Sequence, residues 1–164
     1  MPVYNFRSSL AIGKAGEVVF AKHFPMLTPL NGRKSDFIDQ VSKELWELKT
    51  DSYDMAKTKN FFIEHYSDVE RGKPGGIWQS ATHGTTYWCY MFSKNETLFV
   101  FVLEDLLAFM EKTLLNYEIR KIKNKTWVTT GFLVPREAVQ HLAWVINLQT
   151  PIGGTNAEHT TRVD

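Results

Sequence analysis

The segment Glu44 to Thr50 constrains the fold more than any other part of the chain. Drawn out as a strand, it places Trp46 and Leu48 on one face and Glu47 and Lys49 on the other. Such a strand needs an apolar layer on one side only, and the charged side can face a cleft. A second extended segment, 36–41, precedes it across a turn at Ser42 and Lys43, so the two form a hairpin. Further upstream, Leu10, Ile12, Val18, Val19, Phe20 and Phe24 mark a helix over 9–23. Ser8 and Ser9 are its N-cap candidates and Pro25 its stop. Gly13 and Gly16 weaken that helix intrinsically, and they predict that another backbone, or a ligand, comes close.

Residues 26–34 read as a loop, and 60–66 as a third strand. A charged loop with Pro and Gly over 68–76 leads into a short helix or irregular turn at 77–83. Two more strands, 85–92 and 97–103, flank the turn Ser93-Lys94-Asn95-Glu96. An amphipathic helix over 104–116 places Leu106, Leu107, Met110, Leu114 and Leu115 on one face. Segments 117–121 and 127–133 look extended, and Pro135 opens a short helix reaching about Trp144. The expected fold is α/β or α+β, with a central mixed β-sheet flanked by helices. Nothing divides the chain, so 1–149 reads as one domain; Pro, Gly, Thr and Asn then mark 150–164 as a flexible tail.

With 164 residues, 43% of them hydrophobic, the chain can bury a real core. Nineteen lysines and arginines against eighteen acids leave a charge of +1, so any nucleic-acid face must be local. A single cysteine, Cys89, excludes an internal disulfide and a cysteine-rich zinc site, and fits a reducing cytosol. No signal peptide or membrane-spanning run is visible, so a cytoplasmic, membrane-free protein is expected. The histidines, His23, His65, His83, His141 and His159, show no zinc-ligand spacing. Ser80 and His83 lack the glycine pattern of a hydrolase nucleophile elbow.

If the hairpin forms, Asp36 approaches Glu47. Two carboxylates held together repel unless a cation lies between them. Magnesium is the natural cation, since it takes carboxylate and water oxygens. Lys49 then places a positive charge beside the metal, able to orient water or stabilise a phosphate, and Glu17 on the helix supplies a third acid. Activated water with charge neutralisation is what phosphodiester hydrolysis requires. Taken alone, Glu-x-Lys is also common on solvated strand faces.

The conjunction of a helix acid, Ser35-Asp36-Phe37, a tight turn and Trp46-Glu47-Leu48-Lys49 resembles the PD-(D/E)xK nuclease superfamily, the restriction-endonuclease-like fold. The resemblance covers roughly 9–66, with Ser35 standing where a proline often precedes the first acid. Asn60-Phe61-Phe62-Ile63-Glu64, the glycine loop Gly72 to Gly76 and the aromatic strand after Trp78-Gln79 are similar to small phage-type members. What the resemblance implies is a magnesium-dependent endonuclease, with manganese able to substitute, cutting DNA. It implies Glu17, Asp36, Glu47 and Lys49 as catalytic residues. The metal would be held by Asp36, Glu47, the Leu48 carbonyl and Glu17.

Basic and polar residues around this centre, Lys14, Lys34, Lys73 and Gln79, are candidates for substrate contacts, since phosphate contacts supply most nucleic-acid affinity. Arg33, Lys57, Lys59 and Arg71 are weaker candidates. Glu64 is a candidate accessory ligand or an exposed strand acid. Gly75 and Gly76 admit a DNA backbone or simply make a turn. Leu142, Trp144, Val145 and Ile146 close the core or form a homodimer interface. A Holliday-junction resolvase and a non-catalytic nucleic-acid-binding module of the same fold are the alternative readings.

Overall fold

The computed structural model describes residues 6–31 and 34–149. The expected tail, 150–164, and Arg33 lie outside the described residues. The described chain is an α+β protein with four α-helices, one mixed six-stranded sheet and one antiparallel four-stranded sheet. The single central sheet expected from the sequence is therefore two sheets.

Helix α1 spans Phe6–His23. It starts earlier than expected, so Ser8 and Ser9 lie inside the helix instead of capping it. Strand β1 (Leu27–Pro29) occupies what reads as a loop, and pairs antiparallel with β2 (Phe37–Asp39). Strand β3 (Leu45–Asp51) completes the hairpin, with Phe37 opposite Trp46 and Ile38 opposite Leu45. The turn is fixed by Asp39, whose Oδ1 accepts from the Val41 and Ser42 N–H groups at 2.8 and 3.2 Å. Lys43 takes the left-handed conformation there, at φ 66°. The expected strand to Val41 ends at Asp39, and Val41 is left 94% exposed in the turn.

The chain then leaves the first sheet. Strand β4 (Asn60–Asp68) belongs to the second, where it pairs with the two-residue β5 (Lys73–Pro74). Helix α2 (Gly76–Thr82) follows, and the chain returns through β6 (Tyr87–Phe92), parallel to β3. A short 3-10 turn at Ser93–Asn95 leads into β7 (Thr97–Val102), antiparallel to β6. Helix α3 (Leu103–Thr113) buries Leu106 and Met110, whereas Leu115 is 94% exposed beyond the helix end, against the expected apolar face. Strands β8 (Glu118–Lys123) and β9 (Val128–Pro135) form a hairpin, and β9 pairs with β4. Helix α4 is only Arg136–Val139. The expected continuation to Trp144 is replaced by β10 (Ala143–Asn147), which pairs with β7. The strand orders are β1-β2-β3-β6-β7-β10 and β5-β4-β9-β8.

The centre of the first sheet, β6 and β7, is buried on both faces, which explains why β6 reads as an unbroken aromatic and apolar run. Trp88, Tyr90 and Phe92 of β6 join Phe61 and Ile63 of β4, Phe132 and Val134 of β9, and α3 in one core. Cys89 and Met91 join Phe20 and Phe37 in a second core beneath α1. Trp46 and Leu48 pack against that second core, and so do Trp144 and Ile146, while Leu142 and Val145 pack against the first. The C-terminal apolar residues thus close the core. Among the described residues, no helix is long and apolar enough to cross a membrane.

Candidate active site

Because Trp46 and Leu48 turn toward α1, strand alternation directs Glu47 and Lys49 to the opposite face of β3. The β2–β3 ladder is short. At its end the Asp36 N–H donates to the Trp46 carbonyl at 3.1 Å. The next rung is made by a side chain, with the Leu48 N–H donating to Asp36 Oδ2 at 2.8 Å. The carboxylate of Asp36 is thereby held against the strand that carries Glu47.

Asp36 and Glu47 line one small polar cleft of about 110 Å³, together with Lys34, Ser35, Gln79, Ser80 and His83. The opposite wall is α2 and the turn after it. That wall is tied to the Asp36 segment at two points. Ser35 and Thr85 share a hydroxyl–hydroxyl bond of 3.0 Å, and His83 Nδ1–H donates to the Lys34 carbonyl at 2.6 Å. A larger groove of about 380 Å³ between α2 and α3, lined by Thr85, Leu103, Glu104, Leu107 and Glu111, includes neither Asp36 nor Glu47.

The electrostatics bring the three acids of the sequence reading together. Burial raises Glu47 to about 8; the Asp36 and Glu17 charges add to the rise, and an Asp36 backbone N–H opposes it. Burial also raises Asp36, against the pull of the Leu48 N–H. Glu17 is raised by partial burial and by Asp36, while Lys14 pulls it down. Glu17 thus senses the pair from α1, although it does not line the cleft. On β6, beside Leu48 of β3, the Cys89 thiol is fully buried, and burial first, then Asp36 and Glu47, push its pKa well up, so it is inert.

Helix α1 reaches this position through Gly16. A Cβ there would overlap Thr50 Oγ1 of β3 and come within 2.9 Å of its Cγ2. The close approach expected at Gly16 is therefore to Thr50, while Gly13 has open space around it. At the start of α2, Gly75 and Gly76 lie against the side chain and backbone of Glu64, which accounts for both glycines as packing. Glu64 itself stands on β4, in the second sheet.

Of the substrate-contact candidates, Lys34 and Gln79 line the cleft and Lys14 lies close enough to act on Glu17. Lys73 is exposed on β5, opposite Asp68, and is not part of the cleft lining. Arg71 forms an ion pair with Asp68 at 3.7 Å. Ser80 and His83, weighed from the sequence only as a hydrolase pair and set aside, are cleft residues. The available signal was the four-residue spacing of Gln79 and His83, which sets both on one side of α2 and its C-terminal turn.

Among the described residues, no lysine, arginine or histidine is ion-paired with Glu17, Asp36 or Glu47. Nor is any group of three or more His, Cys, Asp or Glu side chains arranged to hold a metal ion by itself. A site offering two carboxylates and a carbonyl would leave the remaining positions to water and a substrate phosphate, the usual habit of magnesium. No protein-family model matches the chain, and no curated protein matches it at a significant level.

Proposed function

We propose that the protein is a magnesium-dependent endonuclease with a restriction-endonuclease-like core, hydrolysing DNA phosphodiester bonds at the Asp36–Glu47 cleft. One observation carries this reading. Asp36, just before β2, and Glu47 of β3 converge on one polar cleft, and no cation of the described chain is paired with either. Carboxylates that repel each other in a partly desolvated site are stabilised by a shared divalent cation.

Asp36 and Glu47 would hold the metal, with the Leu48 carbonyl and a water-mediated contribution from Glu17. Bound magnesium supplies charge neutralisation for the phosphate and Lewis-acid activation of water. The protein side chains do the rest. Lys49 orients the attacking water and offsets charge that builds on the phosphate oxygens. Lys34, beside the acids, and Gln79, on the opposite wall, hold the phosphate. The Ser35–Thr85 and His83–Lys34 bonds keep that wall at a fixed distance from the acids, so the nucleophile and the phosphate meet in a set geometry.

The test is cleavage of plasmid, linear and four-way-junction DNA with magnesium, manganese or EDTA, beside Glu47→Ala. Metal-dependent cutting in the parent and a loss of at least about 100-fold in the variant are expected. A variant that cuts as fast as its parent would refute the assignment. Preference for the junction substrate would narrow the activity to resolution of branched DNA.

A further inference from the structure

His83 braces the cleft through Nδ1, and its ring also lines the cleft opposite the two acids. Its partner is a backbone carbonyl, at Lys34, which can only accept. Nδ1 must therefore carry the proton and donate. Nε2 is left as the one ring nitrogen free for a ligand, the plane of the ring is set by the bond at Nδ1, and a ring protonated at both nitrogens donates from each.

Helical spacing sets Gln79 one turn before His83. The two form a short ladder of polar side chains across the cleft from Asp36 and Glu47. One wall of the cleft carries the acids and Lys34, and the other an amide and an imidazole. A phosphodiester between them would meet a cation on the acidic side and donors on the other.

We propose that His83 is a substrate-binding residue whose imidazolium form donates from Nε2–H to a phosphate oxygen of the nucleic acid while Nδ1–H stays on the Lys34 carbonyl. The proposal rests on the nuclease reading. It differs from a purely structural role for His83, which would use Nδ1 alone.

The two ring nitrogens can be tested separately. In His83→Asn the amide replaces Nδ1 and can still donate to the Lys34 carbonyl, whereas in His83→Gln the amide replaces Nε2. Steady-state cleavage of duplex DNA with magnesium is measured for the parent and both variants, beside thermal unfolding. The expected result is a KM raised roughly tenfold or more in His83→Asn with an unchanged Tm, the loss of one hydrogen bond to a charged oxygen. His83→Gln should keep a KM near the parent's while its Tm falls. Parental KM in His83→Asn overturns the proposal and leaves His83 as a strut. So does an equal defect in both variants that follows a fall in Tm. If the parent cuts no nucleic acid, the nuclease reading itself fails and this role fails with it.

Discussion

Glu47 combines burial with two neighbouring negative charges, and its raised pKa makes a sharp statement about stability. A carboxyl group whose folded pKa exceeds its unfolded value favours the folded state by keeping its proton. That contribution is complete below pH about 4.5 and is lost as pH rises through about 8. Glu47→Gln removes the titration with little change in shape. In metal-free buffer, thermal unfolding should show parent and variant alike near pH 5. By pH 9 the variant should be more stable, by on the order of a few kcal/mol. Magnesium should shrink that gap, because a cation takes the place of the proton. Equal stability at every pH would mean that the acids do not strain one another. At this scale the sequence was informative where local rules apply. The alternation of Trp46, Glu47, Leu48 and Lys49 identified which acid faces the cleft. His83 was not legible, because its significance depends on a carbonyl at Lys34 that only the folded chain brings to it.

The elements that carry these residues owe their placement to small contacts. Alanine is normally a better helix former than glycine by about 1 kcal/mol. At Gly13, where a Cβ has open space, Gly13→Ala should therefore raise stability by roughly 0.5–1 kcal/mol. At Gly16 the sign should reverse. A methyl group there meets Thr50, a short β-branched side chain that cannot swing away, so Gly16→Ala should cost about 1–3 kcal/mol. It should also slow cleavage, by pushing Glu17 off the acid pair. Adding Thr50→Ala should restore part of both losses, since neighbouring sites are not additive. Denaturant titration of the four proteins decides this, and a stabilised Gly16→Ala would remove Thr50 as the reason for the glycine. Helices α1 and α3 and the strands β3, β6 and β7 were legible from periodicity. The three-residue β1 was not, because a strand so short has no pattern. Strand β10 was missed because Leu142 to Ile146 is a short apolar run, which suits a buried strand as well as a helix, and Pro135 favoured the helix.

The whole molecule is two sheets joined through a buried tyrosine. Tyr90 of β6 donates its hydroxyl proton to the Asp51 carboxylate at the end of β3. The same oxygen accepts from the Phe62 N–H of β4, in the other sheet, at 3.2 Å. Tyr90→Phe leaves both partners unsatisfied and should cost about 1–3 kcal/mol in equilibrium unfolding. A neutral result would mean that water replaces the hydroxyl. Sequence reasoning found seven of the ten described strands yet merged them into one sheet, because no local rule says which strand β4 will pair with. Its actual partner, β9, arrives only after the chain has built β6, β7 and α3. The second sheet is stitched from two excursions of the chain, and Phe61 must find Val134 across everything between them. Closing so large a loop exacts its entropy before any contact is rewarded. The hairpins β6–β7 and β8–β9 can form early from neighbouring residues, and the rate at which the native state appears is then governed by the late meeting of β4 with β9. The wall that carries Gln79 and His83 lies in the same excursion as β4, so the cleft is among the last parts of the molecule to exist.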